Sequence, residues 1–260
     1  MTPESIARYG EALHRALVDR KPLEPLTQLE PGITVEDAYR IQEVMVRQRL
    51  DAGQRVVGKK IGITSKAVQD MLDVRQPDFG QLLSGMAYAE GAPIPTGTLI
   101  APRAEAEVAF VLKRDLDGPG VTAADVLRAT DFVLPCFEIV DSRIRDWKIK
   151  IQDTVADNAS CGAFVLGGTP RSLRGLDLSV AGMVVEKNGE VVSTSAGAAV
   201  QGSPVNSVVW LANTLGRLGM PFKAGEVILS GSQSPLMPVV AGDAFRASVG
   251  GLGGCSVRFS

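Results

Sequence analysis

Apolar residues recur with a helical period over the first fifty positions of the chain. Their spacing predicts an amphipathic helix over residues 3–20, with a start signal at Thr2. A second helix is predicted over residues 35–52, because Thr34 can cap it and Asp37 follows in a capping-box position. The proline-rich segment between the two helices predicts a loop.

From residue 55 onward, apolar and polar positions alternate with a period of two, which is typical of strands. Strands are predicted over residues 55–63, 98–101, 105–112, 131–140, 163–166, 181–187, 190–194, 226–230, 244–248 and 255–259, and helices over 66–72, 122–129 and 204–218. The segment 76–86 contains a proline and two glycines and is predicted to be a loop. Asn188 and Gly189 lie between two apolar runs and predict a hairpin turn.

Strands outnumber helices after residue 95, and a regular strand–helix–strand alternation is missing. This pattern predicts an α+β protein with a mixed or antiparallel sheet and excludes a doubly wound parallel sheet. We divide the chain into an N-terminal helical region, residues 1–54, and a larger strand-rich domain, residues 55–260.

Composition narrows the class of protein. Lys and Arg number 27 and Asp and Glu 29, so the net charge of −2 argues against nucleic acid as a partner. Three widely spaced cysteines without a C-x-x-C motif fit a reducing compartment. The sequence has neither a signal-peptide pattern nor an apolar run of about 18 residues, so we expect a cytoplasmic protein without a membrane partner. Its single histidine, His14, leaves little room for histidine-based catalysis or zinc binding.

Acidic residues within apolar strands are the strongest chemical signal. Glu105 and Glu107 are two positions apart in one predicted strand, so both carboxylates leave the same face. Glu138 lies within another apolar strand and supplies a third carboxylate. Three carboxylates without histidine or cysteine favour a hard cation such as Mg²⁺ or Mn²⁺. The alternatives are an exposed strand face for the first two residues and an arginine ion pair for Glu138.

Further polar residues stand near these strands in the sequence. Lys59 and Lys60 point to opposite faces of one predicted strand, so one of them is expected to be buried. Asp78 lies in the predicted loop 76–86 and by itself is typical of a turn. The basic segment 142–150 is predicted to be solvated.

Five ordered segments carry a resemblance to a known family: VVGKKIGITS, QPDFG, PRAEAEVAFVL, VLPCFEIVDSRIRDW and DTVADNASCG. They resemble the 2-hydroxypenta-2,4-dienoate hydratases, also called 2-keto-4-pentenoate hydratases, of the fumarylacetoacetate hydrolase superfamily. The resemblance covers nearly the whole chain. It implies a mixed β-roll core with flanking helices, and a homo-oligomeric cytoplasmic enzyme of meta-cleavage aromatic catabolism.

The resemblance also implies roles for individual residues. The implied site has Glu105, Glu107 and Glu138 as ligands of Mg²⁺ or Mn²⁺, Lys60 and Asp78 as catalytic residues, and Ser160 and Ser232 as substrate contacts. Lys60 is expected to act as general acid and Asp78 as general base, with the reverse order left open.

The expected reaction adds water to 2-hydroxypenta-2,4-dienoate and gives 4-hydroxy-2-oxopentanoate. Hydrolases of the superfamily resemble one another in using a histidine, which the motif-bearing part of this chain lacks. Two alternatives stay open: a 4-oxalocrotonate decarboxylase, which needs a contact for the second carboxylate of its substrate, and a non-catalytic partner subunit. A complex with a pathway decarboxylase or aldolase is a further expectation.

Overall fold

Three helices form the N-terminal region of the computed structural model, which describes residues 1–71 and 74–260. They are α1 (Pro3–Asp19), α2 (Leu26–Leu29) and α3 (Val35–Asp51). The Thr2 hydroxyl accepts a hydrogen bond at the start of α1, and Thr34 and Asp37 form the predicted capping box of α3. The single turn α2 lies within the predicted loop. No helix in the described residues is both long and apolar enough to cross a membrane.

In the described part of the remaining chain, the backbone forms two sheets and four α-helices. The strands are β1 (Val56–Gly62), β2 (Asp78–Leu83), β3 (Ala87–Tyr88), β4 (Pro93–Ile94), β5 (Arg103–Leu112), β6 (Thr130–Val140), β7 (Cys161–Leu166), β8 (Gly182–Lys187), β9 (Glu190–Ala196), β10 (Val227–Leu229), β11 (Met237–Pro238), β12 (Ala244–Val249) and β13 (Gly253–Phe259), and the helices are α4 (Lys66–Met71), α5 (Ala123–Ala129), α6 (Ile151–Ala156) and α7 (Pro204–Arg217). The larger sheet has the order β2-β1-β10-β5-β6-β7-β3, with β11 paired to β5, and the smaller sheet has the order β4-β13-β12-β8-β9. Both sheets mix parallel and antiparallel pairs, so the predicted α+β class is confirmed.

Two predicted elements are wrong. Residues 98–101 do not form a strand, because the Asp141 carboxylate accepts hydrogen bonds from the backbone N–H groups of Ile100 and Ala101 at 2.7–3.0 Å. Much of the predicted loop 76–86 is strand β2, whose backbone pairs with β1. The predicted helix 66–72 is observed as α4, while its last residue lies outside the described residues.

The two faces of the larger sheet have different environments. Alternate residues of β5, including Ala106 and Phe110, pack toward the smaller sheet in the main apolar core. The opposite face carries a second apolar cluster with Ala109, Cys136 and Leu229. Because both faces of β5 are covered, most of its side chains are buried, and only Arg103, Glu105 and Val111 are partly exposed.

A short strand opens a gap in the larger sheet. Strand β10 has three residues and separates β1 from β5, with Leu229 opposite both Lys60 and Ala109. Beyond Leu229 the chain leaves the sheet as a loop and returns to β5 at Met237, opposite Ala104. The ends of β1 and β5 therefore face each other across this loop instead of across a strand.

The N-terminal helices contact the sheet directly, where Gln42 of α3 donates to the Phe79 carbonyl of β2 at 3.0 Å, and they also pack against the segment that follows β6. The apolar cluster formed by α1 and α3 includes Ile144, Val155 and Ala156, which follow β6 in the chain. The division of the chain at residues 54 and 55 stays a prediction.

Candidate active site

Three glutamates meet on the sheet face opposite the main core. Glu105 lies directly across from Glu138 in the register of β5 and β6, and Glu107 lies on the same face of β5. One carboxylate oxygen from each residue lies within 4.8 Å of the others. Strand β5 is an interior strand, between β10 and β6, so these residues are not on an exposed edge.

The electrostatics of this carboxylate cluster favour a bound cation. Burial and the neighbouring Glu138 charge raise the pKa of Glu105 to about 7. Burial and the charges of both other glutamates raise the pKa of Glu107 well above its ordinary value. Both carboxylate oxygens of Glu138 are buried and have no hydrogen-bond donor aligned with them among the described residues. A hard divalent cation would satisfy these oxygens and offset the repulsion, so the residues present fit such an ion.

A buried lysine borders the cluster. The Nζ atom of Lys60 lies 3.2 Å from Oε1 of Glu138, and 3% of Lys60 is exposed. Burial alone would lower the pKa of Lys60, but the charges of Glu138 and Asp78 raise it above its ordinary value. The ion-pair partner of Glu138 is therefore this lysine and not an arginine, which was the alternative left open by the sequence. Lys59 is also buried, so the expectation that only one of the two lysines is buried is wrong.

Asp78 lies beside Lys60 because a glycine leaves room for it. Gly62 pairs with Asp78 in the register of β1 and β2. A Cβ atom at Gly62 would lie 2.3 Å from Oδ1 of Asp78 and 3.3 Å from Nζ of Lys60. Thr154 donates a hydrogen bond of 3.3 Å to Oδ2 of Asp78, whereas Oδ1 has no partner among the described residues. Burial raises the pKa of Asp78, which makes it a stronger base than an exposed aspartate.

These groups border one cavity of about 390 Å³. Its lining includes Lys60, Asp78, Glu105, Ser160 and Ser232, and therefore five of the seven predicted site residues. The two other glutamates complete the carboxylate cluster behind Glu105.

The two predicted serine contacts differ in their surroundings. Ser160 is buried, and its hydroxyl lies 3.4 Å from Oδ2 of Asp157. The hydroxyl of Ser232 lies beside the Glu105 carboxylate and donates to the Ser234 carbonyl at 2.7 Å. The loop that contains Ser232 also contributes Gly231, whose N–H donates to Oε2 of Glu107 at 2.8 Å. This loop therefore contacts two of the three glutamates.

Arg103 and Trp147 are a stacked pair on the cavity wall to which sequence reasoning gave no role in the site. Arg103 lies on the same face of β5 as Glu105, and its guanidinium stacks 4.4 Å from the centroid of the Trp147 ring. The indole N–H of Trp147 donates to the Ala101 carbonyl at 2.9 Å, which fixes the ring. Arg103 has no carboxylate partner among the described residues. Arg103 is two residues before Glu105 in the same strand, and this spacing could have predicted that both side chains lie on the same face.

Two other sequence expectations are resolved by the position of the residues. His14 lies in α1 and is not among the described residues that line the cavity. The segment 142–150 is not uniformly solvated, because Arg143 is completely buried and forms an ion pair with Asp157. This part of the prediction is wrong.

Comparisons with known proteins find relatives that match nearly the whole chain. The family described as fumarylacetoacetate (FAA) hydrolase C-terminal matches residues 58–260. A 2-hydroxyhexa-2,4-dienoate hydratase of Comamonas testosteroni is 58% identical over 98% of this chain and 97% of its own. A 2-hydroxypent-2,4-dienoate hydratase of Pseudomonas putida is 62% identical over 83% of this chain and 97% of its own. Among solved structures, a 4-oxalocrotonate decarboxylase from Pseudomonas putida G7, complexed with magnesium and adipate, has a TM-score of 0.96 at 38% identity and covers 100% of this chain and 99% of its own.

Proposed function

Because the chain belongs to the 2-keto-4-pentenoate hydratase family of the fumarylacetoacetate hydrolase superfamily, we propose that it adds water to a 2-hydroxy-2,4-dienoate. The product from the five-carbon substrate is 4-hydroxy-2-oxopentanoate. The observation that supports this best is the Lys60–Asp78 pair beside three carboxylates at one cavity. A non-catalytic subunit would not need such a buried set of charges.

Glu105, Glu107 and Glu138 would hold the metal ion, which we propose to be Mg²⁺ or Mn²⁺. All-oxygen ligation by carboxylates suits both ions, and both leave positions for substrate oxygens. When bound, the cation supplies Lewis-acid stabilisation of negative charge at the 2-oxygen of the substrate. Three glutamates and an ionised Asp78 carry four negative charges, and the cation and Lys60 together offset three of them, so the anionic substrate meets a site with far less negative charge than the carboxylates alone would give.

Lys60 and Asp78 would manage the protons of the reaction. The 2-hydroxyl loses its proton while C5 gains one, which gives the 2-oxo-3-enoate. Water then adds its oxygen at C4, and C3 takes up a proton. Lys60, whose pKa is raised, stays protonated and serves as the acid, while Asp78, whose pKa is also raised, accepts a proton from water. Ser160 and Ser232 are proposed to contact the substrate from the two sides of the cavity.

The substrate's C5 end would point away from the carboxylate cluster. The cavity lining includes the apolar side chains of Val140, Ile149 and Leu236. An apolar wall suits hydrogen or a small alkyl group at C5. We therefore propose that five-carbon and six-carbon dienoates are both substrates.

The decarboxylase alternative has one supporting observation. Arg103 provides a cation on the cavity wall that has no carboxylate partner within the described ranges 1–71 and 74–260, and such a group could bind the second carboxylate of a dicarboxylic substrate. The hydratase assignment has stronger support, because the more similar relatives are hydratases.

The deciding experiment is an ultraviolet assay of dienol decay with Mg²⁺ or Mn²⁺. 2-Hydroxypentadienoate, its six-carbon homologue and the dicarboxylate analogue are compared, and CO₂ release is measured in parallel. We expect decay of the first two to 4-hydroxy-2-oxo acids without CO₂. Faster turnover of the dicarboxylate with stoichiometric CO₂ would establish the decarboxylase instead.

Two isosteric variants test the metal ligands. Glu107→Gln should weaken Mg²⁺ binding and turnover together, as measured by calorimetry and the ultraviolet assay. Glu226→Gln removes a different buried carboxylate, outside the cavity, and should keep Mg²⁺ affinity. Full turnover of Glu107→Gln in buffer with a chelator would contradict the proposed ligand role.

We further propose that the enzyme is a cytoplasmic homo-oligomer. The hairpin β8–β9 supports this, because its edge strand exposes Val191 and Val192, at 59% and 44%. Light scattering of the purified protein tests the assembly. Association with a pathway decarboxylase or aldolase stays a prediction, to be tested by co-purification.

A further inference from the structure

Three consecutive residues without a glycine adopt the left-handed conformation at the cavity wall. Asn158, Ala159 and Ser160 have φ angles of 53°, 50° and 53°. Each L-residue in this region is disfavoured by contact of its Cβ with the backbone. Asn158 tolerates this conformation, and its side-chain amide is held by the Gln81 backbone at 2.8–2.9 Å. Ala159 and Ser160 do not favour it, so the surrounding structure must impose the rest of this left-handed turn.

The guanidinium of Arg143 holds both ends of the left-handed turn. One terminal nitrogen, Nη2, donates to the carbonyl of Asp157, the residue before the turn. The other, Nη1, donates at 3.1 Å to the carbonyl of Cys161, the residue after it, and also to the carbonyl of Asp141. The Nε–H group donates to the Asp157 carboxylate. The side chain of Arg143 thus bridges the two ends of the turn.

The environment of this bridge makes it rigid. Arg143 and Asp157 are both completely buried, so water does not compete for their hydrogen bonds. The Asp157 carboxylate also accepts the Arg143 backbone N–H at 2.9 Å. A planar guanidinium can direct its donors at three carbonyls and a carboxylate at once, which the ammonium of a lysine cannot reproduce.

The left-handed turn connects this buried bridge to the cavity. Ala159 and Ser160 line the cavity, while the Ser160 carbonyl accepts the Asp141 N–H at 2.7 Å at the end of β6. Arg143 itself is not among the described residues that line the cavity. Any effect of Arg143 on substrate must therefore pass through the turn.

We propose that Arg143 is a positioning residue, which forces residues 158–160 into the left-handed turn and so fixes the cavity wall at Ala159 and Ser160. As a role in catalysis, this inference rests on the proposed function. The hold on the turn itself is a property of the fold and can be measured without turnover.

The test is a double-mutant cycle of Arg143→Lys and Ala159→Gly. Glycine adopts positive φ readily, so it should restore the turn when the guanidinium is missing. We expect Arg143→Lys to raise KM for 2-hydroxypentadienoate roughly tenfold. It should weaken binding of 2-oxopentanoate, a non-reacting analogue, by the same factor. Tenfold corresponds to the low end of the free-energy cost of one strained backbone residue. Hydrogen exchange at the Ser160 and Cys161 amides, which bond Asp157 and Asn158 carbonyls, should accelerate. Adding Ala159→Gly should recover part of both effects, while Mg²⁺ affinity stays unchanged.

A destabilised control separates positioning from general loss of stability. Val126→Ala removes buried volume in α5 and should lower the melting temperature without changing KM or exchange in the turn. If Arg143→Lys behaves like this control, or if glycine at position 159 restores nothing, the proposal is overturned. If Arg143→Lys does not fold, the proposal requires that the double variant Arg143→Lys/Ala159→Gly folds. A double variant that also fails to fold overturns the proposal. Absence of turnover in the unaltered enzyme would refute the proposed function, while the exchange measurements would still decide the role of Arg143.

Discussion

Lys59 and Lys60 are neighbours in the sequence and both are buried, yet they lie in opposite environments. The ammonium of Lys59 forms a close ion pair with Glu226 and lies 3.5 Å from the Pro221 carbonyl. Burial lowers the pKa of Lys59, and this single carboxylate does not fully offset the effect. Around Lys60, several carboxylates outweigh burial, and the pKa is raised.

The difference between the two lysines shows which feature separates a candidate catalytic lysine from a structural one. A buried ion pair occurs at both residues, so it cannot distinguish a structural lysine from a catalytic one. What distinguishes Lys60 is the cavity of about 390 Å³, together with partner oxygens on Glu138 and Asp78 that lack aligned donors. Lys59 borders a smaller hollow of about 190 Å³ that is mostly apolar.

The largest effect is expected from Lys60→Met. Loss of an acid–base group should reduce kcat by roughly 10²–10⁴-fold. Mg²⁺ binding should not weaken, because a positive charge next to the carboxylates is removed. The ultraviolet assay measures turnover, and titration calorimetry measures Mg²⁺ binding. Turnover of Lys60→Met close to that of the unaltered enzyme would contradict the acid–base role of Lys60.

Lys59→Met should act on stability instead. It leaves Glu226 buried without its partner, which should lower the free energy of unfolding by about 3 kcal/mol. Turnover per folded molecule should change by no more than about twofold, which is far less than the loss expected for an acid–base group. The reason is that Lys59 is not among the described residues that line the active-site cavity. Urea denaturation with activity corrected for the folded fraction is the measurement. A large loss of kcat with unchanged stability would show that both lysines serve the reaction.

Removing both partners sharpens the contrast. In Lys59→Met/Glu226→Met no buried charge is left unpaired, so at least half of the lost stability should return. The corresponding pair Lys60→Met/Glu138→Met should be stable but inactive, because it removes an acid and a metal ligand. Recovery of turnover in the second pair would contradict both assigned roles.

The smallest expected effect is a dependence of stability and Mg²⁺ affinity on pH, and it concerns the carboxylate cluster beside Lys60 but not the pair of Lys59 and Glu226. The pKa of Glu105 is raised to about 7, so the folded protein without cation binds more protons than the unfolded chain between about pH 5 and 7. Its stability therefore falls as pH rises through this window, while Mg²⁺, which binds the deprotonated form, binds more tightly. The dissociation constant should decrease by up to about tenfold per pH unit. Calorimetry from pH 5.5 to 8 tests this, and Glu105→Gln should flatten the dependence.

Much of the fold followed from periodicity, whereas the exceptions depended on contacts between distant residues. Strands β5 and β6 are long and regular, and their alternation predicted them. Strand β2 was hidden, because its proline and glycine are typical of a turn until β1 supplies a pairing partner. The strand predicted over 98–101 failed because Asp141, forty residues later, binds its backbone.

The candidate site was predictable as far as it is encoded in spacing. Alternation placed Glu105 and Glu107 on one face, and Glu138 joined them by register. Burial of Lys59 was not predictable, because an alternation rule assumes that one face of the strand meets solvent. The burial of Arg143 was missed for a similar reason, since two of the three carbonyls that it binds belong to Asp157 and Cys161, 14 and 18 residues later in the chain.

The early end of β10 has a consequence for how such an enzyme can change. The glutamates proposed as metal ligands lie on two long paired strands, whereas much of the cavity wall comes from the loop that follows β10 and from the turns at Trp147 and Ser160. Gly231 and Ser232 of that loop contact the glutamates, so changes at these two residues would disturb the carboxylate cluster. An engineer who seeks a new side chain on the dienoate should therefore vary Ile149, Pro235 and Leu236, and leave β5, β6 and the left-handed turn unaltered.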